Sequence, residues 1–432
     1  MPHYMNTQDS DFTASFERFL QLKREAEADV DEAVADIIQS VRVDGIESVL
    51  QLTARFDRVE LDAQTVRLSD DEAERLIQGV PTEHREALEL AAERIRAFHT
   101  RQVPRDEEWT DEAGVRLGWR WTPVDSAGLY VPGGLASYPS SVLMNAVPAQ
   151  VAGVRHIVMT VPTPDGQINP LVVLAARLAG VDATFRVGGA QAVAALAYGA
   201  GPIPKVDKIT GPGNAYVASA KRQVFGQVGI DMIAGPSEVL IIADETCNPA
   251  WVALDLMAQA EHDETAQSIL ITDNASVAEQ VGAAVEALLS TLGRADIAGA
   301  SWRDFGALIV VDDLSTAAEM ANRIAPEHLE IHTADPDTVA KDIRHAGALF
   351  LGAYTAEAVG DYIGGPNHVL PTAGSARFSS GLSVLDFMKR TTVSSVSSGA
   401  LRDIGPAAAA LTRAEGLEAH ALSLEHRLET LN

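Results

Sequence analysis

Apolar side chains recur every three or four positions through the first part of the chain. In DVDEAVADIIQSVRVDGIESVLQLTARF they fall at Val34, Ile37, Ile38 and Val41, then at Val49, Leu50 and Leu52. That stripe predicts amphipathic helices. DDEAERLI and TEHREALELAAERIRAFHT repeat it, each opening on acidic residues, which a helix N-terminus favours. His84 and His99 lie here and read as helix-surface or interhelical residues. From about residue 128 the period changes. Short apolar runs at 156–162, 184–188, 206–210, 238–244, 268–273, 307–313, 328–333 and 348–352 alternate with helical patterns such as NPLVVLAARLAG, AWVALDLMAQAEH and TAAEMANRIA. Continuous apolar strands joined by helices predict parallel sheets covered on both faces.

The expected fold class is therefore α/β, with two Rossmann-like parallel-sheet domains over 128–237 and 238–380 and a hinge near Ser237. A helical region, 1–127, precedes them and packs partly on the second domain. Regular alternation stops after 353, and GDYIGGPNHVLPTAGSARFSSGLS reads as a long loop of the second domain, a length that is usually functional. The segment 381–432 reads as a helical tail, with Pro406 in a helical first turn and a burial partner on another subunit.

A chain of 432 residues exceeds one compact core. Its 47% hydrophobic and 22% charged residues are ordinary for a globular enzyme. A net charge of −27 repels phosphate backbones and anionic lipid, so nucleic acid and membrane are not expected partners. The N-terminus is polar, and no apolar run approaches the roughly 18 residues of a membrane span. The single cysteine, Cys247, leaves no internal disulfide and no multi-cysteine metal site. A cytoplasmic location is the expectation.

Several polar stretches interrupt this frame. LDLMAQAEHDETAQSILI brings Gln259 and His262 to the end of a helix, three residues apart and so on one face; together they offer oxygen and nitrogen donors to a metal, or a histidine to the helix dipole. IAPEHLEIHT opens a strand with Glu327 and His328, two proton acceptors of different strength, and puts His328, Glu330 and His332 on one strand face. These lie at the amino end of their strand, whereas open α/β sheets bind ligands at carboxyl ends. GDYIGGPNHVLP places Asp361 and His368 in the glycine-rich loop, as turn residues or as ligands. Glu415 and His420, in RAEGLEAHALS, are five apart, a spacing that does not pair them on a helix. For a nucleotide, VDKITGPGNAYVASAKRQ runs a strand into Gly211-Pro212-Gly213 and then Asn214, a helix start suited to a pyrophosphate, but Tyr216 replaces the third glycine of the dinucleotide fingerprint.

Taken in order, GLYVPGG, VGGAQAVAALAYG, KITGPGNAYV, AGPSEVLIIAD, QAEHD, PEHLEI, GDYIGGPNHVLPT and SGLSVLDFMKR closely resemble the L-histidinol dehydrogenase family, from about residue 128 to 420. The resemblance implies two successive NAD-dependent oxidations of L-histidinol, through L-histidinaldehyde, to L-histidine. It implies one zinc per active site, on Gln259, His262, Asp361 and the partner's His420, and hence an intertwined homodimer. It implies proton acceptors at Glu327 and His328, substrate contacts at Ser237, Gln259, His262, His328, Asp361, Glu415 and His420, and NAD contacts at Tyr130, Gln191 and Asn214. His368 is a further substrate candidate. Because amine and imidazole nitrogens suit zinc, the expected metal role is to orient substrate. Water activated by Glu327, and not Cys247, is the expected nucleophile for the aldehyde. Competing readings are a related zinc- and NAD-dependent dehydrogenase of another small alcohol, a zinc hydrolase, which would reduce no nicotinamide, and a non-catalytic nucleotide-binding regulator.

Overall fold

The computed structural model describes residues 2–22, 30–133, 138–233 and 235–431; the final glycine of GLYVPGG and the first residue of AGPSEVL fall outside them. Two parallel sheets organise the chain. In the first, the spatial order is Ala183–Phe185, His156–Thr160, Ser126–Tyr130, Lys208–Thr210, Gly229–Ile230. In the second it is His3–Asn6, Ala307–Val310, Gln267–Thr272, Glu238–Ala243, His328–His332, Ala348–Leu351. Every neighbouring pair in both sheets is parallel.

Strands Glu238–Ala243, Gln267–Thr272 and His328–His332 are buried at every residue, covered on both faces; the first two carry the apolar runs this requires, whereas His328–His332 buries the polar His328, Glu330 and His332 on one face. Helices Pro249–Ala260 and Ala275–Leu289 cover one face through Val252, Leu256, Val277 and Val281. Helices Phe12–Leu20 and Leu314–Ile324 cover the other through Phe16, Phe19, Ala317 and Ala321. Asn248 caps the first of these helices, accepting the Ala250 N–H at 3.0 Å ahead of Pro249 in the first turn.

The helical region divides between the two units. His3–Asn6 and Phe12–Leu20 join the second sheet, while Asp31–Asp44 and Ile46–Asp57 pack through Val34, Ile38 and Val49 on helix Gly189–Tyr198 of the first. Thr82–Thr100 packs through Leu88 and Ile95 among Val142, Met144 and Val147 of helix Pro139–Ala152, again on the first unit.

A third, antiparallel sheet orders Met388–Val396, Val115–Pro123 and Glu107–Thr110. Strands thus lie inside both segments expected to be helical. Met388–Val396 and Glu107–Thr110 are largely exposed, so no apolar stripe marks them. His3–Asn6 is four residues at a sheet edge and is defined by its partner Ala307–Val310. Ser126–Tyr130, which is not among the apolar runs read as strands, is the central strand of the first sheet. Two helices end the chain, Ser398–Ala414 and Glu418–Glu429, joined by the Arg413–Glu425 pair. Ser397 caps the first, so Pro406 sits in its interior, where it forgoes one backbone bond, and not in its first turn.

Candidate active site

Helix Pro249–Ala260 runs back against the strands and delivers its C-terminus to their amino ends. There Gln259 is fully buried, and neither atom of its amide has a hydrogen-bond partner. His262 lies beyond the last helical residue, in a turn closed by its N–H donating to the Gln259 carbonyl at 3.1 Å. It keeps surface exposure, although the protein packed round its ring lowers its pKa.

Strands Glu238–Ala243 and His328–His332 begin side by side. The Glu238 N–H donates to Glu327 Oε2 at 3.0 Å, and the Glu327 N–H returns a bond to Glu238 Oε2 at 3.3 Å. The other Glu238 oxygen accepts from the Ala373 N–H at 2.9 Å. Ser237 sits just before this strand, its carbonyl accepting from Gln267. His328 Nδ1 is 2.9 Å from the Glu238 carbonyl. That carbonyl can only accept, which fixes the neutral ring with its proton on Nδ1. Nε2 is then an acceptor, buried without a hydrogen-bond partner, 3.7 Å from Asp361 Oδ1. Burial foremost, with His368 and His262 nearby, pushes His328 down to about 4.

Asp361 stands on the short helix Glu357–Tyr362, and burial pushes its carboxyl up to about 7. Glu357 opens that helix. Its N–H donates to Glu330 Oε1 at 2.7 Å, and its Oε1 lies 3.7 Å from His328 Nδ1. Burial, then the Asp361, Glu330 and Glu327 charges, hold Glu357 well above the carboxylate range. His368 turns Nδ1 to the Asp361 carbonyl at 3.0 Å and Nε2 to Ser141 Oγ at 3.4 Å. Burial pushes it down to about 4.

The glycine-rich loop is held from both units. Arg94 Nε donates to the Ile363 carbonyl at 2.6 Å, Asn367 Nδ2 to the Met144 carbonyl at 2.6 Å, and the Gly235 N–H to Thr372 Oγ1 at 2.6 Å. Asn367 also meets His99 Nε2 at 3.3 Å, so the buried His99 anchors this loop. Behind the site, Asp255, Glu330 and His332 bring their donor atoms within 4.8 Å of one another. Burial, then the Glu330 charge, pushes Asp255 up to about 7.

On the first unit, Tyr130 ends the central strand and its hydroxyl accepts the Gly189 N–H at 3.1 Å. Gln191 is buried with its Oε1 unpartnered. Asn214 caps helix Ala215–Val224, accepting from Tyr216 at 3.1 Å and Val217 at 3.2 Å. Those two amides are therefore already committed, which narrows the helix start expected for a pyrophosphate. These residues lie at the carboxyl ends of their strands, the usual ligand position.

Glu327, His328 and Asp361 thus come together with His368 and Glu357, and His262 is near enough to bias His328. Glu415 and His420 do not: both are exposed on the tail, and among the described residues no hydrogen bond or ion pair ties them to the others. Sequence reasoning missed Glu238, Asp255 and Glu357. Their signals were present: a charge opening the apolar run EVLIIAD, an aspartate one turn before Gln259, and a glutamate one turn before Asp361. Cys247 occupies the turn at the far end of strand Glu238–Ala243, roughly 20 Å along from His328 at about 3.3 Å per residue.

The model of the family described as histidinol dehydrogenase matches residues 20–428. The histidinol dehydrogenases of Ruegeria pomeroyi and Cereibacter sphaeroides are each 62% identical to this chain over 432 residues, covering 100% of both sequences. The crystal structure of histidinol dehydrogenase from Elizabethkingia anophelis superposes with a TM-score of 0.95 at 35% identity, covering 100% of this chain and 99% of that one. Sequence and fold agree along the whole length, and the chain belongs to the histidinol dehydrogenase family.

Proposed function

We propose that this protein oxidises L-histidinol to L-histidine through L-histidinaldehyde, with two hydrides passing in succession to NAD, at a zinc site completed by a second copy of the chain. The observation that carries the reading is His328. Its tautomer is fixed by the Glu238 carbonyl, and its Nε2 lone pair is buried, unpartnered and beside Asp361.

Gln259, His262 and Asp361, with His420 from the partner subunit, would hold zinc. The donor set fits, since the Gln259 amide is fully buried without a partner, a costly state of about 1–3 kcal/mol per lost bond that a ligand relieves. Zinc held there would supply a point of attachment for the amine and imidazole nitrogens of the substrate, and Tyr130, Gln191 and Asn214 would hold NAD, which would supply the hydride acceptor. Ser237, Glu415 and His368 would complete substrate recognition. His328 takes the hydroxyl proton as the first hydride leaves the carbinol carbon, giving the aldehyde. Glu327 then removes a proton from water as its oxygen bonds to the aldehyde carbon, while His328 returns its proton to the former carbonyl oxygen, which completes the hydrate and frees Nε2 again. His328 takes one hydroxyl proton of the hydrate as the second hydride leaves, giving the carboxylic acid, which ionises to the carboxylate. A soluble address fits this biosynthetic role, and no helix among the described residues is long and apolar enough to cross a membrane.

The test is absorbance of reduced nicotinamide with L-histidinol and NAD, with and without chelator. Two NADH per histidinol, abolished by chelator and restored by zinc, is expected. Turnover that reduces no nicotinamide, or that chelation leaves intact, overturns the reading.

A further inference from the structure

Lys221, on helix Ala215–Val224, and Asp231, just after strand Gly229–Ile230, form an ion pair whose side chains are 3% and 1% exposed. Burying two such charges carries a desolvation cost that their attraction must first offset, so stability alone is a weak reason for the pair. What it holds is Gly211. Lys221 Nζ donates to the Gly211 carbonyl at 2.9 Å, and the Gly211 N–H donates to Asp231 Oδ2 at 2.8 Å. The two ends of one ion pair therefore grip both polar groups of one residue. Gly211 needs the grip: its φ is +122°, and a Cβ there would lie 2.0 Å from the Tyr130 carbonyl oxygen. The turn from strand Lys208–Thr210 to Asn214 is thereby pressed against Tyr130, whose hydroxyl in turn receives the Gly189 N–H ahead of Gln191.

We infer that Lys221 and Asp231 are positioning residues for the dinucleotide, setting the turn that presents Asn214 in register with Tyr130 and Gln191. The inference rests on the reading that NAD meets those three residues. Neither Lys221 nor Asp231 touches the ligand; each acts through Gly211.

The test compares zinc-loaded, full-length wild type with K221M, D231N and the double variant K221M/D231L. The double variant removes both buried charges, so its melting temperature should recover relative to either single change, while Gly211 stays unheld. NADH affinity, read by fluorescence titration, should fall about tenfold or more in the double variant, with the KM for NAD rising in step and the KM for histidinol moving less than about twofold. Wild-type NADH affinity in a double variant of restored melting temperature overturns the inference. If that variant does not fold, K221M alone, assayed well below its melting temperature, decides: a rise in the KM for NAD alone supports positioning, and parallel rises in both KM values overturn it. N214A and Q191A are the controls for the underlying reading. If both bind NADH as wild type does, the NAD site is elsewhere, whatever Lys221 does.

Discussion

His328 meets the Glu238 carbonyl through Nδ1, and that one bond assigns the work of the ring. With Nδ1 donating, only Nε2 can accept a substrate proton, and burial keeps it neutral far below pH 7. Glu327, one residue earlier, is buried and receives the Glu238 N–H, which holds a second acceptor beside the ring, 3.8 Å from Nδ1. On the proposed mechanism the two have separable duties. Glu327→Gln should slow oxidation of supplied histidinaldehyde by about 10²–10⁴-fold, the usual worth of a general base, while alcohol oxidation loses far less. Equal losses in the two half-reactions would remove Glu327 from water activation. Cys247 is pushed up to about 11, by burial first and Asp244 second, so it stays a thiol. Cys247→Ser should leave turnover within about twofold, since a thiol this far from its thiolate is a poor nucleophile; a loss of orders of magnitude would point to a thioester route.

Strand His328–His332 places His328, Glu330 and His332 on one face, and two helices close on that face. Helix Pro249–Ala260 brings Asp255 to Glu330 and His332, one turn before Gln259. Helix Glu357–Tyr362 docks its first N–H on Glu330, one turn before Asp361. Acid is thus packed on acid. Asp255 has a folded pKa of about 7 against 3.8 unfolded. Its folded form holds a proton the unfolded chain has lost, so its stabilisation is full below 3.8 and disappears as pH rises through 7. His328 and His368, depressed to about 4, act in the opposite sense, and only below their ordinary 6.5. Above pH 6.5, then, the melting temperature of the zinc-loaded protein should fall with pH, with Glu357 adding to the slope. Asp255→Asn should flatten it by about one degree over the next pH unit and a half. An unchanged slope would mean that Asp255 is ionised in the fold.

The alternation of His328, Glu330 and His332 is legible in the sequence, because a strand's period of two leaves no freedom in which residues share a face. The Asp255 and Glu357 carboxyls were not. Each sits in a helix whose sequence reads equally well with the acid turned to water, and only the crossing of helix and strand turns it inward. The same limit applies to Glu238, whose role depends on the neighbouring strand beginning at His328.

At the scale of the molecule, the two parallel sheets were legible in their buried apolar strands, and the antiparallel third sheet was not. Its strands are solvated on most faces, and Met388–Val396 finds its partner Val115–Pro123 from the far side of the sequence. Glu415 and His420 are exposed on the terminal helices, and among the described residues no hydrogen bond or ion pair joins them to the other site residues of their own chain. If the site is shared, co-refolded Asp361→Asn and His420→Asn chains should recover about a quarter of wild-type activity, because half the dimers are mixed and one site in each is intact. Mixtures no more active than either variant alone would confine each site to one chain. The most direct measurement is a crystal structure of the zinc-loaded protein with anomalous data collected at the zinc edge. The expected result is a single peak bonded to Gln259, His262 and Asp361 of one chain and to His420 of another. A peak elsewhere, with His420 in solvent and distant from those three residues in every chain, would contradict it.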